Sequence, residues 1–113
     1  MTFITGPLWS GKREFACRLL GCGPEELAAR AVWDVQALAA GCGDLAALAD
    51  ALAARYEAVI LTEEGGGVVP ADGGQRAARE AAGRLACLLA ARAECVVRVF
   101  CGLPLVLKGE CNL

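Results

Sequence analysis

Histidine is missing from the entire chain of 113 residues, and none of its seven cysteines forms a C-x-x-C pair. Zinc sites are built from closely spaced pairs of such ligands, so a structural zinc is not expected. No cluster of basic residues occurs, and the net charge is −2. Nucleic acid, whose phosphates demand concentrated positive charge, is therefore not an expected partner. Nor is there an uncharged apolar run of the ~18 residues a membrane span needs; Arg98 interrupts the best candidate, "CVVRVFCGLPLVL". The N-terminus lacks the basic stretch of a secretion signal, which makes the cytoplasm the expected location. In that compartment a disulfide framework is not expected. Cys17, Cys22, Cys42, Cys87, Cys95, Cys101 and Cys111 read mostly as small buried hydrophobes.

What the chain has in abundance is apolar residues, at 57%, with a mean hydropathy of +0.48. Its length suits a single domain over residues 1–113. The apolar excess predicts a face shared with another subunit, hence a homo-oligomer. "TFIT" (2–5) predicts a first strand. Phe15, Ala16, Leu19 and Leu20 fall at helical spacing over 12–20, and Gly21 closes that helix. "GPEELAAR" predicts a short helix with Pro24 at its start, and "AVWDV" (31–35) a second strand. "LAALADALAAR" predicts a helix capped by Asp44, and "EAVILTEE" a buried strand. The glycines and proline of "GGGVVPADGG" mark a loop, and 75–93 the longest helix. "CVVRVF" and "PLVLK" read as the last two strands. Strands alternating with helices imply a parallel sheet with right-handed crossovers.

"TGPLWSGKREF" (5–15) is the stretch that carries chemistry. Gly6 to Lys12 fits G-x-x-x-x-G-K between a strand and a helix. Successive backbone N–H groups of Pro7's successors Leu8, Trp9, Ser10 and Gly11 can there converge on phosphate oxygens. Gly11 permits close approach, and Lys12 neutralises β/γ-phosphate charge. The start of the helix adds its positive end. The expected class is thus α/β: a P-loop NTPase-like three-layer sandwich, with a small, mostly parallel sheet of four to five strands flanked by helices. The position after the lysine normally carries Ser or Thr, whose hydroxyl binds Mg²⁺. Here it is Arg13, which has no lone pair to offer. Arg13 can instead pair with a phosphate, substituting its own charge for the cation's. Trp9, inside the loop, is a candidate for stacking on a base, whereas Trp33 reads as core. Asp34 is a further carboxylate candidate at the end of the second strand.

These segments resemble the bifunctional adenosylcobinamide kinase/adenosylcobinamide-phosphate guanylyltransferases. "FITGPLWSGKREFACRLL" is similar to their opening strand, S-G-K-S loop and helix. "VILTEEGGGVVPADGGQRAAREAAGRL" is similar to their N-E-V-G-x-G-x-V-P turn and arginine-bearing helix, and "VVRVFCGLPLVLK" to their closing V-x-G-x-P-L-x-L-K. Together the similar segments cover about residues 1–35 and 57–108. The resemblance puts Glu64 in place of the turn glutamate, with Gly66, Val69 and Pro70 around it. It puts Arg76 and Arg79 in place of the helix arginines, and Gly102, Pro104, Leu105, Leu107 and Lys108 at the terminus. It implies ATP or GTP as substrate, a corrinoid acceptor, a trimer, and Mg²⁺ held by Glu64 or Glu63, with Arg76 and Arg79 facing substrate.

The departures narrow that expectation. Family members carry a histidine that takes the guanylyl group covalently, so guanylyltransfer by that route is excluded in a chain without histidine. They also carry a further strand with a V-D-C-L-T-L-W pattern, where this chain has only "QALAAGCGDLAALADALAARYEA". Glu63 replaces the asparagine of the turn. Three readings remain open: a cobinamide kinase-like enzyme, a nucleotide-binding module without turnover that partners another protein, and a remnant whose loop binds nothing.

Overall fold

The computed structural model of the chain describes residues 1–64 and 73–111. Five strands form one sheet: β1 (Thr2–Pro7), β2 (Ala31–Val32), β3 (Ala58–Glu63), β4 (Cys95–Phe100) and β5 (Leu103–Lys108), in the spatial order β2-β3-β1-β4-β5. β1 is central. It pairs in parallel with β3, Phe3 opposite Val59, and with β4, Ile4 opposite Val97. Its C-terminal end therefore opens onto a loop flanked by strands on both sides, the place where open α/β sheets bind ligands.

Alternation along the strands divides the core in two. Phe3, Val59, Leu61 and Val96 face α3 (Gln36–Ala39), α4 (Leu45–Arg55) and α5 (Gly73–Arg92), packing against Val35, Ala49, Leu52, Leu85 and Leu89. Ile4, Ile60, Val97 and Val99 face α1 (Lys12–Leu20) and α2 (Pro24–Arg30), packing against Phe15, Ala16 and Leu27. Strands buried on both faces read as continuous apolar runs, as "AVIL" and "CVV" do. The result is a helix–sheet–helix arrangement. α4 begins where expected, with the Asp44 carboxylate accepting from the Ala47 amide at 3.0 Å. α1 ends on Gly21 at φ 66°, in the left-handed region a glycine enters without strain.

The structure differs from the sequence reading at several points. β5 runs antiparallel to β4, because only Cys101 and Gly102 separate them and a parallel return needs a dozen or more residues. Both turn residues have positive φ (53° and 75°), the geometry of a two-residue hairpin. β2 is cut to two residues because Asp34, at φ 57°, kinks the chain before Val35 N rejoins β3 at the Ile60 carbonyl. Gly73 and Gly74, assigned to a loop, begin α5; the remainder of that loop, 65–72, lies outside the described residues. Cys95 and Cys111 are joined as a disulfide, with Cα atoms 6.3 Å apart, contrary to the all-thiol expectation. Of the free cysteines none is fully buried, since Cys87 points outward from α5 and Cys101 occupies the hairpin turn.

Surplus apolar surface concentrates on the outer strand, where Leu103, Leu105 and Leu107 are exposed. Leu89 and Leu105 thus differ by environment alone. Leu89→Ala should cost about 2–5 kcal/mol by creating a cavity, whereas Leu105→Ala should stay within about 0.5 kcal/mol. Urea unfolding of the two variants checks this, and equal losses would contradict the assigned core.

Candidate functional site

The loop between β1 and α1 is held by its neighbours. A Cβ at Gly6 would collide with the Val99 carbonyl oxygen, so only glycine lets β1 and β4 approach there. The Gly102 amide donates to the Ser10 carbonyl at 2.8 Å, bracing the loop against the β4–β5 turn. Gly11, at φ 91°, takes the left-handed step that starts α1. Trp9 makes a similar step at φ 61° and is 90% exposed, so its indole leans on no other part of the fold.

Lys12 is the only charged side chain buried among the described residues. Its ammonium curls back into the loop, donating to the Pro7 carbonyl at 2.6 Å and to Ser10 Oγ at 3.4 Å. Burial pushes its pKa below the ordinary 10.5, an effect opposed by the carboxylates of Asp34, Glu63 and Glu14. Lys12 forms one side of a cavity of about 340 Å³ walled by residues 8–14 and, opposite, by Trp33, Asp34, Ile60 and Thr62.

The far wall is itself organised. The Thr62 hydroxyl donates to Asp34 Oδ1 at 2.8 Å, and the Thr62 amide donates to Gln36 Oε1 at 2.9 Å. These bonds tie the kink after β2 to the end of β3 and hold a carboxylate toward the loop. The Arg13 guanidinium stands 5.5 Å from the centre of the Trp33 ring, a cation–π contact at the cavity rim.

The structure brings Leu8, Trp9, Ser10, Gly11, Lys12 and Arg13 together around this cavity; Gly6 and Pro7 do not line it, Gly6 lying against the Val99 carbonyl and Pro7 accepting from Lys12. It does not bring Glu63 or Glu64 to it. Glu63 follows Leu61 onto the α5 face, where Arg98 grips both its oxygens at 2.8 and 2.9 Å and Thr5 donates at 3.3 Å. Glu64 and Arg79 line a separate cavity with Glu63 and Gly83, beside α5, and Arg76 lines neither. Asp34, on the far wall, and Glu14, on α1, are the carboxylates lining the loop cavity, and Trp33 walls it while packing, half-buried, against the α1–α2 side of the core. Thr62, Gln36 and Arg98 were missed. For Thr62 the signal was present: it is the one polar residue of "AVILT", on the same face as Ile60.

Among the described residues no three metal-binding side chains converge. Asp34, bonded to Thr62, lines the loop cavity together with Ser10, as a lone carboxylate of the far wall beside two hydroxyl side chains. No family model matches the chain, and no curated protein matches it. No helix among the described residues is long and apolar enough to cross a membrane.

Arg98 holds the Glu63 carboxyl below its ordinary 4.5. A carboxylate depressed on folding stabilises above its unfolded pKa, and the effect fades as pH falls through the folded one. Glu63→Gln should therefore be less stable than the parent at pH 7, with the gap closing below about pH 4.5. Denaturation midpoints across pH measure it; a gap independent of pH would contradict the pairing.

Proposed function

We propose that the chain is a nucleoside-triphosphate-binding domain of the P-loop class, a cobinamide kinase-like protein that binds ATP or GTP on Gly6–Arg13. The observation that carries this reading is Lys12: an ammonium buried inside a glycine-framed loop, at the first turn of a helix, facing a cavity with a carboxylate opposite. Such a charge is costly to bury without an anion to receive it. The sheet order, with the loop strand central between two parallel neighbours, supports the same class.

On binding, Lys12 would exchange the Pro7 carbonyl for β/γ-phosphate oxygens while the amides of 8–12 converge on them. Arg13 would turn from Trp33 to the phosphates, providing planar bidentate charge. Mg²⁺, where bound, would supply Lewis-acid charge at the phosphates. Asp34, fixed by Thr62, is the residue placed to meet it, not Glu64 or Glu63 as the resemblance implied. Kinase-type phosphoryl transfer needs only this positioning and charge; the corrinoid acceptor rests on the family resemblance alone. Homo-oligomer formation, a trimer by that resemblance, would have its apolar surface in the exposed face of β5. A second reading, a binding module without turnover, is favoured by Arg13, which places a cation where the usual metal-binding hydroxyl would be.

Calorimetric titration with ATP and GTP, with and without Mg²⁺, tests this. Lys12→Ala should weaken binding about 10- to 100-fold, the worth of a charge-assisted hydrogen bond. Tighter binding with Mg²⁺ that is lost in Asp34→Asn supports the kinase reading, and binding indifferent to Mg²⁺ supports the module. Affinity unchanged by Lys12→Ala, or absent altogether, contradicts both.

A further inference from the structure

The end of α1 brings two cysteines together. Gly21 turns left-handed at φ 66°, and the Cys22 amide then donates back to the Cys17 carbonyl at 3.0 Å. A helix end closed in this way brings the side chains of the two bonded residues into contact, ordinarily as an apolar pair. Here both are cysteines, and their thiols share a hydrogen bond. Both are free, half-buried and packed against the α1–α2 side of the core. Cys17 also lines a cavity of about 470 Å³ with Pro24, Leu27 and Trp33, through which a small molecule can reach the pair. Neither thiol lines the loop cavity, so the dithiol does not depend on what binds there.

Charge around the pair is uneven. Arg30 Nη1 donates to the Leu20 carbonyl at 3.0 Å, which sets its positive charge beside Cys22. Its Nε and Nη2 go to the Glu57 carboxylate. Burial pushes the Cys17 thiol up, and the neighbouring Cys22 adds to the effect. The thiolate is the nucleophile, and a cationic neighbour favours it. Cys22 is thus placed to attack and Cys17 to resolve.

We propose that Cys17 and Cys22 form a redox dithiol, a modification site for small disulfides of the glutathione class. The Cys22 thiolate attacks one sulfur of the incoming disulfide. The other sulfur leaves with the electron pair of the broken S–S bond and takes the proton that Cys22 gave up. Cys17 then loses its proton and attacks the Cys22 sulfur, displacing the second small thiol, which takes that proton. Two protein thiols are oxidised to one disulfide, and one small disulfide is reduced to two thiols. The product staples the last turn of α1 to the residue beyond its Gly21 stop, in the helix that begins at Lys12.

Lys or Arg falls between every two successive cysteines, so trypsin puts each of the seven on its own peptide. Cys17 lies on 14–18, Cys22 on 19–30, Cys95 on 93–98 and Cys111 on 109–113. The full chain is equilibrated with mixtures of reduced and oxidised glutathione, folded and in urea, then acid-quenched, alkylated and digested without reduction. Mass spectrometry should find 14–18 joined to 19–30, reversibly, with a formation constant about tenfold or more higher in the folded chain than in urea. The joined pair 93–98 and 109–113 serves as the internal reference. Cys17→Ser should collect glutathione on Cys22 about tenfold faster than Cys22→Ser collects it on Cys17. No link between 14–18 and 19–30, a preferred link of either to another cysteine peptide, or an equal constant in urea overturns the dithiol. Equal or reversed rates in the two variants overturn Cys22 as the attacking thiol.

Discussion

A single buried ammonium constrains the rest of this structure. Lys12 is removed from water in a loop that gives it one carbonyl and one hydroxyl. Those two acceptors compensate only part of what hydration provided, which is why its pKa falls. The loop can hold the charge inward because it is braced from outside. β4 lies so close that Gly6 has no room for a side chain, and the following turn bonds Ser10.

Strand alternation then decides which acids can serve that charge. Along β3, Ile60 and Thr62 face α1 and the loop, whereas Leu61 and Glu63 face α5. A shift of one residue separates a group in the site from one outside it. Glu63, on the far face, meets the Arg98 guanidinium across β1 and becomes a structural ion pair. Besides Glu14 on α1, the carboxylate facing the loop comes from beyond β2, through the left-handed kink at Asp34 and its bond to Thr62.

Much of the fold was legible because its signals are local. The helix over 12–20, its Gly21 stop, the Asp44 cap and the apolar runs of β3 and β4 follow from spacing and end residues, and the structure has them at those places. The antiparallel β5 was legible in principle from its two-residue link to β4. The site was legible only as far as the loop. Which acid faces Lys12 depends on strand facing and on a kink at Asp34, a residue type that tolerates positive φ without announcing it. The Cys95–Cys111 pairing likewise depends on β5 returning beside β4, which no spacing of the seven cysteines declares.

The most direct test of the account is an amide-resonance titration of the ¹⁵N-labelled protein with GTP and with ATP. The account predicts that the largest shifts fall on residues 8–13, with smaller ones at Asp34 and Thr62 across the cavity. Largest shifts on α5 or β5, with the amides of Ser10, Gly11 and Lys12 unmoved, would contradict it.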